Sequence, residues 1–480
     1  MKNFLKAIGI ALLLLIAVVL FRTLTFKSKQ LVVPLAAKLS SNDSCAIHLQ
    51  KAIQFKTVSY DAANQMDSSQ FRGFQNFLIA TYPLVFSKLS LEKINDFSLI
   101  LYWKGKSAEA KPIILMAHQD VVPIEKATEK NWDAAPFSGM IKNGFIYGRG
   151  AIDDKGSLIA ILESAELLLK KGFVPQSDIY FVFGHDEEIS GLKGAKTIAR
   201  IFADRKIKLA FILDEGGIIT EYKVPGLNKT AAVVGIAEKG YQTLKLKINI
   251  PGGHSSMPEE KTAIDEMAKA VVKLKDNPFP AELTPIVQDF LSYVGPEMPF
   301  ISKMAMANQW LFAPVIESSY AKSAAGSATI RTTTATTIFN SGVKENIIPG
   351  EAEATVNFRT QPGVSQQDVI DHVRQVIDNE NIKITPAGEG NSPKQVADVK
   401  DPSFKYIQEK ISEMKKGIIV APYLVLGATD SHYFSSITPQ IFRFTPFTDP
   451  EGFHGVNERI KISEFKNGIG FYYRLIKDYK

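Results

Sequence analysis

The sequence predicts an α/β protein: a mostly parallel, doubly wound domain into which a second, α+β domain is inserted. Three observations predict it. Three wholly apolar strands each end in acidic or imidazole side chains, strand and helix alternate up to residue 239, and from Gly240 the strands switch to strict alternation. A strand apolar at every position suits a parallel sheet covered on both faces, and such sheets bind ligands just beyond the carboxyl ends of their strands.

The first of the three is Pro112-Ile113-Ile114-Leu115-Met116-Ala117, which runs into His118-Gln119-Asp120. Ile179 to Phe183 runs into Gly184-His185-Asp186-Glu187-Glu188, and Leu209-Ala210-Phe211-Ile212-Leu213 into Asp214-Glu215-Gly216-Gly217. Taken singly, each ending has an ordinary explanation, because Asp and Gly close strands as turn formers. Three such endings in one chain point to a site.

In chain order, residues 31 to 110 read as a helical entry, with apolar spacing over Phe71 to Ala80, followed by a strand near Phe97 to Trp103. A turn-rich loop, Asn131 to Gly144, leads through Phe145-Ile146-Tyr147-Gly148-Arg149-Gly150-Ala151-Ile152-Asp153-Asp154-Lys155-Gly156 to a long helix, Ser157 to Lys170. This is βαβ grammar. Leu244 to Ile250 then alternates, as a strand with one wet face does. Helices over Thr262 to Lys275 and Ser365 to Asp378, and strands over Ala328 to Thr337 and Ala352 to Phe358, complete the inserted unit. Buried-strand character returns at Tyr423 to Leu426, and a final helix starts at Ser463. The expected division is 1–30, 31–239, 240–390 and 391–480, the second and fourth forming one domain.

With 480 residues the chain is long for one compact domain. The net charge of +6 is spread without a dense basic block, which argues against nucleic-acid binding. The single cysteine, Cys45, excludes a thiolate metal cluster, so any ion must be held by His and carboxylate. Lys2 and Lys6 precede an unbroken apolar run from Ala7 to Phe21, with no small-residue cleavage site after it. We expect an uncleaved signal anchor that holds the catalytic part outside the cytoplasm; cleavage would instead give a secreted or periplasmic protein.

His118 and Asp120, two positions apart, lie on one side of an extended chain, so Asp120 can orient the imidazole. Asp153-Asp154 offers a carboxylate that two cations could share, and Glu187-Glu188 one group to bind metal and one to act as base. Asp214 and His454 complete the set. Counting ligands, a bridging carboxylate with His118 and Asp214 on one ion and Glu188 and His454 on the other leaves each ion three protein ligands and an open position, as a catalytic zinc requires.

His118-Gln119-Asp120-Val121-Val122-Pro123, Gly148 to Gly156, Asp186-Glu187-Glu188 and Gly253-His254-Ser255-Ser256 together resemble the motifs of the co-catalytic di-zinc metallopeptidases that include aminoacylase, carnosinase and glutamate carboxypeptidase. Arg331 to Phe339 and Ala354 to Arg359 look most like the branch of carboxypeptidase S and the N-fatty-acyl-amino-acid synthase/hydrolases. The resemblance implies two Zn2+ per subunit, with Co2+ or Mn2+ as alternatives, and a lid/dimerisation role for the inserted domain. It implies Asp153 as bridging ligand, His118 and Asp214 on one ion, Glu188 and His454 on the other, Glu187 as general base and Asp120 behind His118. It also implies a cis Asp153–Asp154 peptide, a His254 that polarises the scissile carbonyl, often from the partner subunit of a homodimer, and Arg359 and Asn346 holding the substrate carboxylate.

The loop Gly427-Ala428-Thr429-Asp430-Ser431-His432 departs from the family, which has Asn or Gly at the Ala428 position and Arg at the His432 position. Thr429 and Asp430 stand with the substrate-binding residues, but a neutral imidazole does not replace an arginine, so carboxylate capture should be weaker there or moved to Arg443. The aromatic stretch Phe279 to Ala325 is expected to supply lid core or a dimer surface, or to line a groove for a hydrophobic chain. The implied function is hydrolysis of an amide bond next to a free amino-acid carboxylate, in a small peptide or an N-acyl amino acid. A small-peptide carboxypeptidase or dipeptidase without acyl preference, and an inactive binding ectodomain, are the alternatives.

Overall fold

The computed structural model describes residues 1–39, 44–60, 65–388, 390–393 and 395–480. Its central sheet runs Ser90–Ile94, Ser98–Trp103, Ile179–Gly184, Ile113–His118, Phe211–Asp214, Ile441–Arg443, Thr230–Glu238, Ile419–Val425, with Ile219–Glu221 paired to Thr230–Glu238. The four middle strands from Ile179–Gly184 to Ile441–Arg443 are mutually parallel, and antiparallel partners flank them. Wholly buried strands such as Ile113–His118 lie between two layers of helix. On one face pack Lys155–Lys170 and Ile462–Asp478, on the other Ala195–Asp204. The predicted parallel α/β core is therefore present.

A separate antiparallel sheet, Thr333–Ser341, Glu351–Thr360, Gly240–Asn249, Lys383–Pro386, forms the inserted unit. Alternation does what it should here. Leu244, Leu246 and Ile248 turn inward beneath the helices Ala263–Asp276 and Gln366–Ile377, while Lys245 and Lys247 face out. Thr262 and Ser365 start those helices with reciprocal capping boxes.

Two details differ from expectation. Ala328 to Ile330 is not strand: Ser323 accepts the Gly326 N–H and starts a helix, Ala324–Ile330, and the strand begins only at Thr333. The aromatic stretch, placed by sequence in the inserted unit, packs instead with the central sheet. Leu283, Ile286, Val287, Phe290, Leu291 and Val294 join the main core against Ile419–Val425, because their helix, Pro285–Val294, is apolar on the side that meets that strand.

At the amino end, Lys2–Thr25 forms a 24-residue apolar helix, exposed along nearly all its length, with the size of a signal sequence or membrane anchor. Its last turns touch the body at Val19, Arg22 and Thr23.

Candidate active site

Three neighbouring strands run parallel and end near one another, with His118 opposite Gly184 and Leu115 opposite Leu213. Their carboxyl ends bring His118, Glu187, Glu188 and Glu215 to one place. Asp153 arrives just before the helix Lys155–Lys170, across a cis Asp153–Asp154 peptide. His454 arrives on a loop that reverses through positive φ at Gly452, His454 and Asn457.

Asp153 is the centre of the cluster. Its Oδ1 lies 2.8 Å from His118 Nε2 and its Oδ2 2.6 Å from His454 Nε2. His118 Nε2 is also 3.4 Å from Glu215 Oε1, and His454 Nε2 is 3.4 Å from Glu188 Oε2. Each imidazole thus faces one shared carboxylate and one of its own. Behind His118, Asp120 is fully buried: its carbonyl lies 3.0 Å and its Oδ1 3.3 Å from His118 Nδ1. The same carboxylate accepts the backbone N–H groups of Glu187 (3.2 Å) and Glu188 (3.1 Å), so one residue orients both halves of the site.

Beside His118 Nε2 stands the carboxylate of Glu215, one residue beyond the expected Asp214. Asp214 is the last strand residue, and its Oδ2 accepts the Ser431 N–H at 3.0 Å, on the side of the neighbouring loop. One residue further on, the side chain turns toward His118, since successive positions of an extended chain face opposite ways. Both are acidic, so spacing alone did not choose between them.

His254 and Asn346 are not brought to the cluster. Both are exposed at the tip of the inserted sheet, where His254 Nδ1 pairs with Ser256 and the Asn346 carbonyl accepts the Ser255 N–H. Arg359 lies at the other end of that sheet, paired with Tyr241 and with its guanidinium 4.8 Å over the Tyr241 ring. The strand Gly240–Asn249 separates the two ends by about 30 Å at strand rise. Within one chain, only Arg359 reaches the cavity.

That cavity, about 1720 Å³, includes Asp153, Glu187, Glu188, Glu215 and His454 in its lining, with Arg359 and His432. Its apolar wall comes from Ile286, Val287, Phe290, Tyr320, Tyr423 and Leu426. Part of the aromatic stretch therefore does line a groove. Thr429 and Asp430 also line it: Thr429 donates its N–H to buried Glu238 at 3.1 Å, and Asp430 is cradled against Gly184 and Gly191, where any Cβ would collide with its carboxylate. Arg443 is engaged elsewhere. Its Nε meets Glu238 at 2.9 Å and Thr429 Oγ1 at 3.0 Å, which leaves it buried beneath the loop rather than facing the cavity.

Sequence reading also passed over the Arg149–Glu458 pair, although both residues sit inside the motifs that carry the site. It ties the Asp153 loop to the His454 loop, with Arg149 Nη1 2.6 Å from Glu458 Oε2.

The electrostatics call for cations. Burial, together with the Asp153 and Asp154 carboxylates, pushes Glu215 well up; burial and its acidic neighbours Glu215, Asp430 and Glu188 do the same to Glu187. Burial would raise Asp153 too, but His118 and His454 hold it below the usual carboxylate range. Hydrogen bonds to Asp153 and Glu188 push His454 up to about 10. Asp154 is fully buried beside Asp153, and burial raises its carboxyl well above the usual range. Ligand atoms of His118, Asp153 and Glu188, and separately of His118, Asp154 and Glu215, lie within 4.8 Å of one another. Imidazoles and carboxylates without thiolate, carrying surplus buried negative charge, fit zinc, cobalt or manganese.

A model of the peptidase family M20/M25/M40 matches residues 114–478. The chain belongs to that family. It is a carboxypeptidase S-like metallopeptidase, and the acidic cluster is the candidate for the family's co-catalytic metal site. It is 41% identical to the probable carboxypeptidase S-like 2 of Dictyostelium discoideum, over 98% of this chain and 92% of that protein. It is 36% identical to an N-fatty-acyl-amino acid synthase/hydrolase of Xenopus tropicalis, over 99% and 95%. Among solved structures, the family's metallo-carboxypeptidase from Sulfolobus solfataricus superposes with a TM-score of 0.65 over 91% of this chain and 99% of that one, at 18% identity. Human carnosine dipeptidase 1 gives 0.62 over 91% and 96%, at 13% identity. These two likenesses are of fold.

Proposed function

We propose that this M20/M25/M40 enzyme hydrolyses the amide bond of N-acyl amino acids with long apolar acyl chains, using two zinc ions per subunit. The observation that carries the reading is the pairing of Asp153's two oxygens with two different imidazoles, at one end of a cavity whose far wall is apolar. Asp153 would be shared between the two ions, with His118 and Glu215 holding one and Glu188 and His454 the other. When bound, such a pair supplies Lewis acidity that polarises the scissile carbonyl and acidifies the attacking water.

The protein's own groups do the rest. Glu187, raised by burial, takes the proton from the attacking water and returns it to the leaving nitrogen. Asp120 fixes the His118 ring and the Glu187–Glu188 backbone. Arg359 binds the amino-acid carboxylate with its guanidinium fork. The acyl chain lies along Ile286, Val287, Phe290 and Leu426. His254 and Asn346, a strand length away, serve the site of a second copy, which makes the working unit a homodimer. The apolar helix Lys2–Thr25 is retained as an anchor, a reading supported by the contacts its last turns make with the body.

Release of free amino acid from N-acetyl, N-palmitoyl and dipeptide substrates by the zinc-loaded enzyme tests the substrate class. The palmitoyl substrate should be favoured in kcat/KM at least tenfold, about 1.4 kcal/mol. Equal rates on all three would reject the acyl groove.

A further inference from the structure

The helices Phe300–Ala307 and Gln309–Tyr320 turn a row of large apolar side chains outward. Ile301 is 70% exposed, Val315 65% and Trp310 54%, with Phe300 and Leu311 beside them. From residue 300 to 320 the only charged residues are Lys303 and Glu317. Large apolar side chains gathered in exposed positions on two consecutive helices mark an interaction site.

Its neighbour identifies the partner. Among the described residues, the apolar amino-terminal helix is hydrogen-bonded to the body at this hairpin. Asn308 Nδ2 donates to the Val19 carbonyl (3.2 Å) and lies 3.3 Å from Thr23 Oγ1, and Arg22 Nε donates to the Ala307 carbonyl (3.3 Å). Beyond the helix, Gln30 brackets Val420, accepting its N–H at 2.8 Å and donating to its carbonyl at 3.1 Å. The junction is thus built into the fold. It fixes the hairpin at the level of Val19 to Thr23, where the apolar run ends.

The run Ala7 to Phe21 covers only about 22 Å at helical rise, against about 30 Å of hydrocarbon. A short span draws its attached domain toward the bilayer, and this hairpin is bonded to the end of the apolar run. Trp310 suits the headgroup boundary, where tryptophan is enriched.

We propose that the 300–320 hairpin is a membrane-docking collar: its outer face lies in the headgroup boundary of the bilayer beside the anchor helix. This rests on reading Lys2–Thr25 as a retained anchor. The consequence concerns the cavity. Gln309–Tyr320 ends at Ser319 and Tyr320, which line it, so one helix runs from the lipid surface to the wall of the acyl groove.

The test places a single environment-sensitive fluorophore on the full chain in phosphatidylcholine/phosphatidylglycerol vesicles; the one native cysteine is buried. The labelled variants are Val315→Cys, Leu13→Cys in the anchor, and Val343→Cys at the exposed tip of the inserted sheet, where Val343 is 89% exposed. Lipid-borne nitroxide should quench the Val315 site roughly threefold more than the Val343 site, and iodide should do the reverse. A Val315 site open to iodide while Leu13 is lipid-quenched overturns the collar and leaves the anchor standing. A Val315 site shielded from both quenchers means that protein, such as a second copy, covers the face, and also overturns it. Loss of lipid quenching at Leu13, or an amino terminus beginning after the helix, removes the anchor reading and the collar with it.

Discussion

Arg149 and Glu458, 309 positions apart in the chain, meet at 2.6 Å with both side chains buried. Glu458 also accepts the backbone N–H groups of Gly150 (3.0 Å), Ile152 (2.9 Å) and Asp153 (3.3 Å). Arg149 turns its other nitrogen to the carbonyls of His454 (3.1 Å) and Gly455 (3.2 Å). One ion pair therefore sets the spacing of the two loops that carry Asp153 and His454. Glu458→Ala leaves a buried guanidinium unpaired, which costs about 3–5 kcal/mol. The expected outcome is a lower Tm and loss of bound metal. Glu458→Gln, which keeps an acceptor for the three N–H groups, should lose less of both.

Glu187 lines the cavity beside Glu188, with its backbone N–H held by Asp120 at 3.2 Å. Glu187→Gln should keep the metal content of the wild type and lower kcat by about 10²–10⁴, the usual worth of a general base. A variant with full turnover would remove Glu187 from that role.

The two adjacent acids at the end of the third strand separate cleanly in a metal assay. Glu215→Ala should bind about half as much zinc, because it takes a ligand from the His118 position. Asp214→Asn, whose side chain serves the Ser431 N–H, should bind the full amount and lose some stability instead. The opposite pattern would restore Asp214 as the ligand.

Much of this was legible in the sequence because buried parallel strands announce themselves as unbroken apolar runs, and their ends are where chemistry gathers. His118, Asp153, Glu188 and His454 meet as their motifs imply. The differences between expectation and structure have equally physical causes. Asp214 and Glu215 differ only in which way an extended chain turns a side chain, and that depends on the Ser431 loop packed beside them. The helix Pro285–Val294 has an apolar face that suits either unit, so its choice of the central sheet is a tertiary fact. Arg443 looked available until its partner, Glu238 at the end of another strand, was in place.

Lys239 gives the fold a pH signature. It sits at the entry to the inserted sheet and donates to the carbonyls of Ala328 (2.8 Å) and Arg331 (2.7 Å). Burial, with the charge of Arg359 adding to it, brings its pKa from 10.5 down to about 7. Between those values the unfolded chain holds a proton that the native state has released, so stability rises with pH across the window. Lys239→Met should flatten that rise by about 1.4 kcal/mol per pH unit, read from denaturant unfolding between pH 7.5 and 9.5. An unchanged slope would show that Lys239 stays protonated in the fold.

The central claim is that Asp153 is shared between two ions, and anomalous diffraction at the zinc edge from crystals of the full chain addresses it directly. Two peaks about 3.5–4 Å apart should straddle the Asp153 carboxylate, one beside His118 and Glu215 and the other beside Glu188 and His454. A single peak, or a pair that Asp153 does not bridge, would contradict the account.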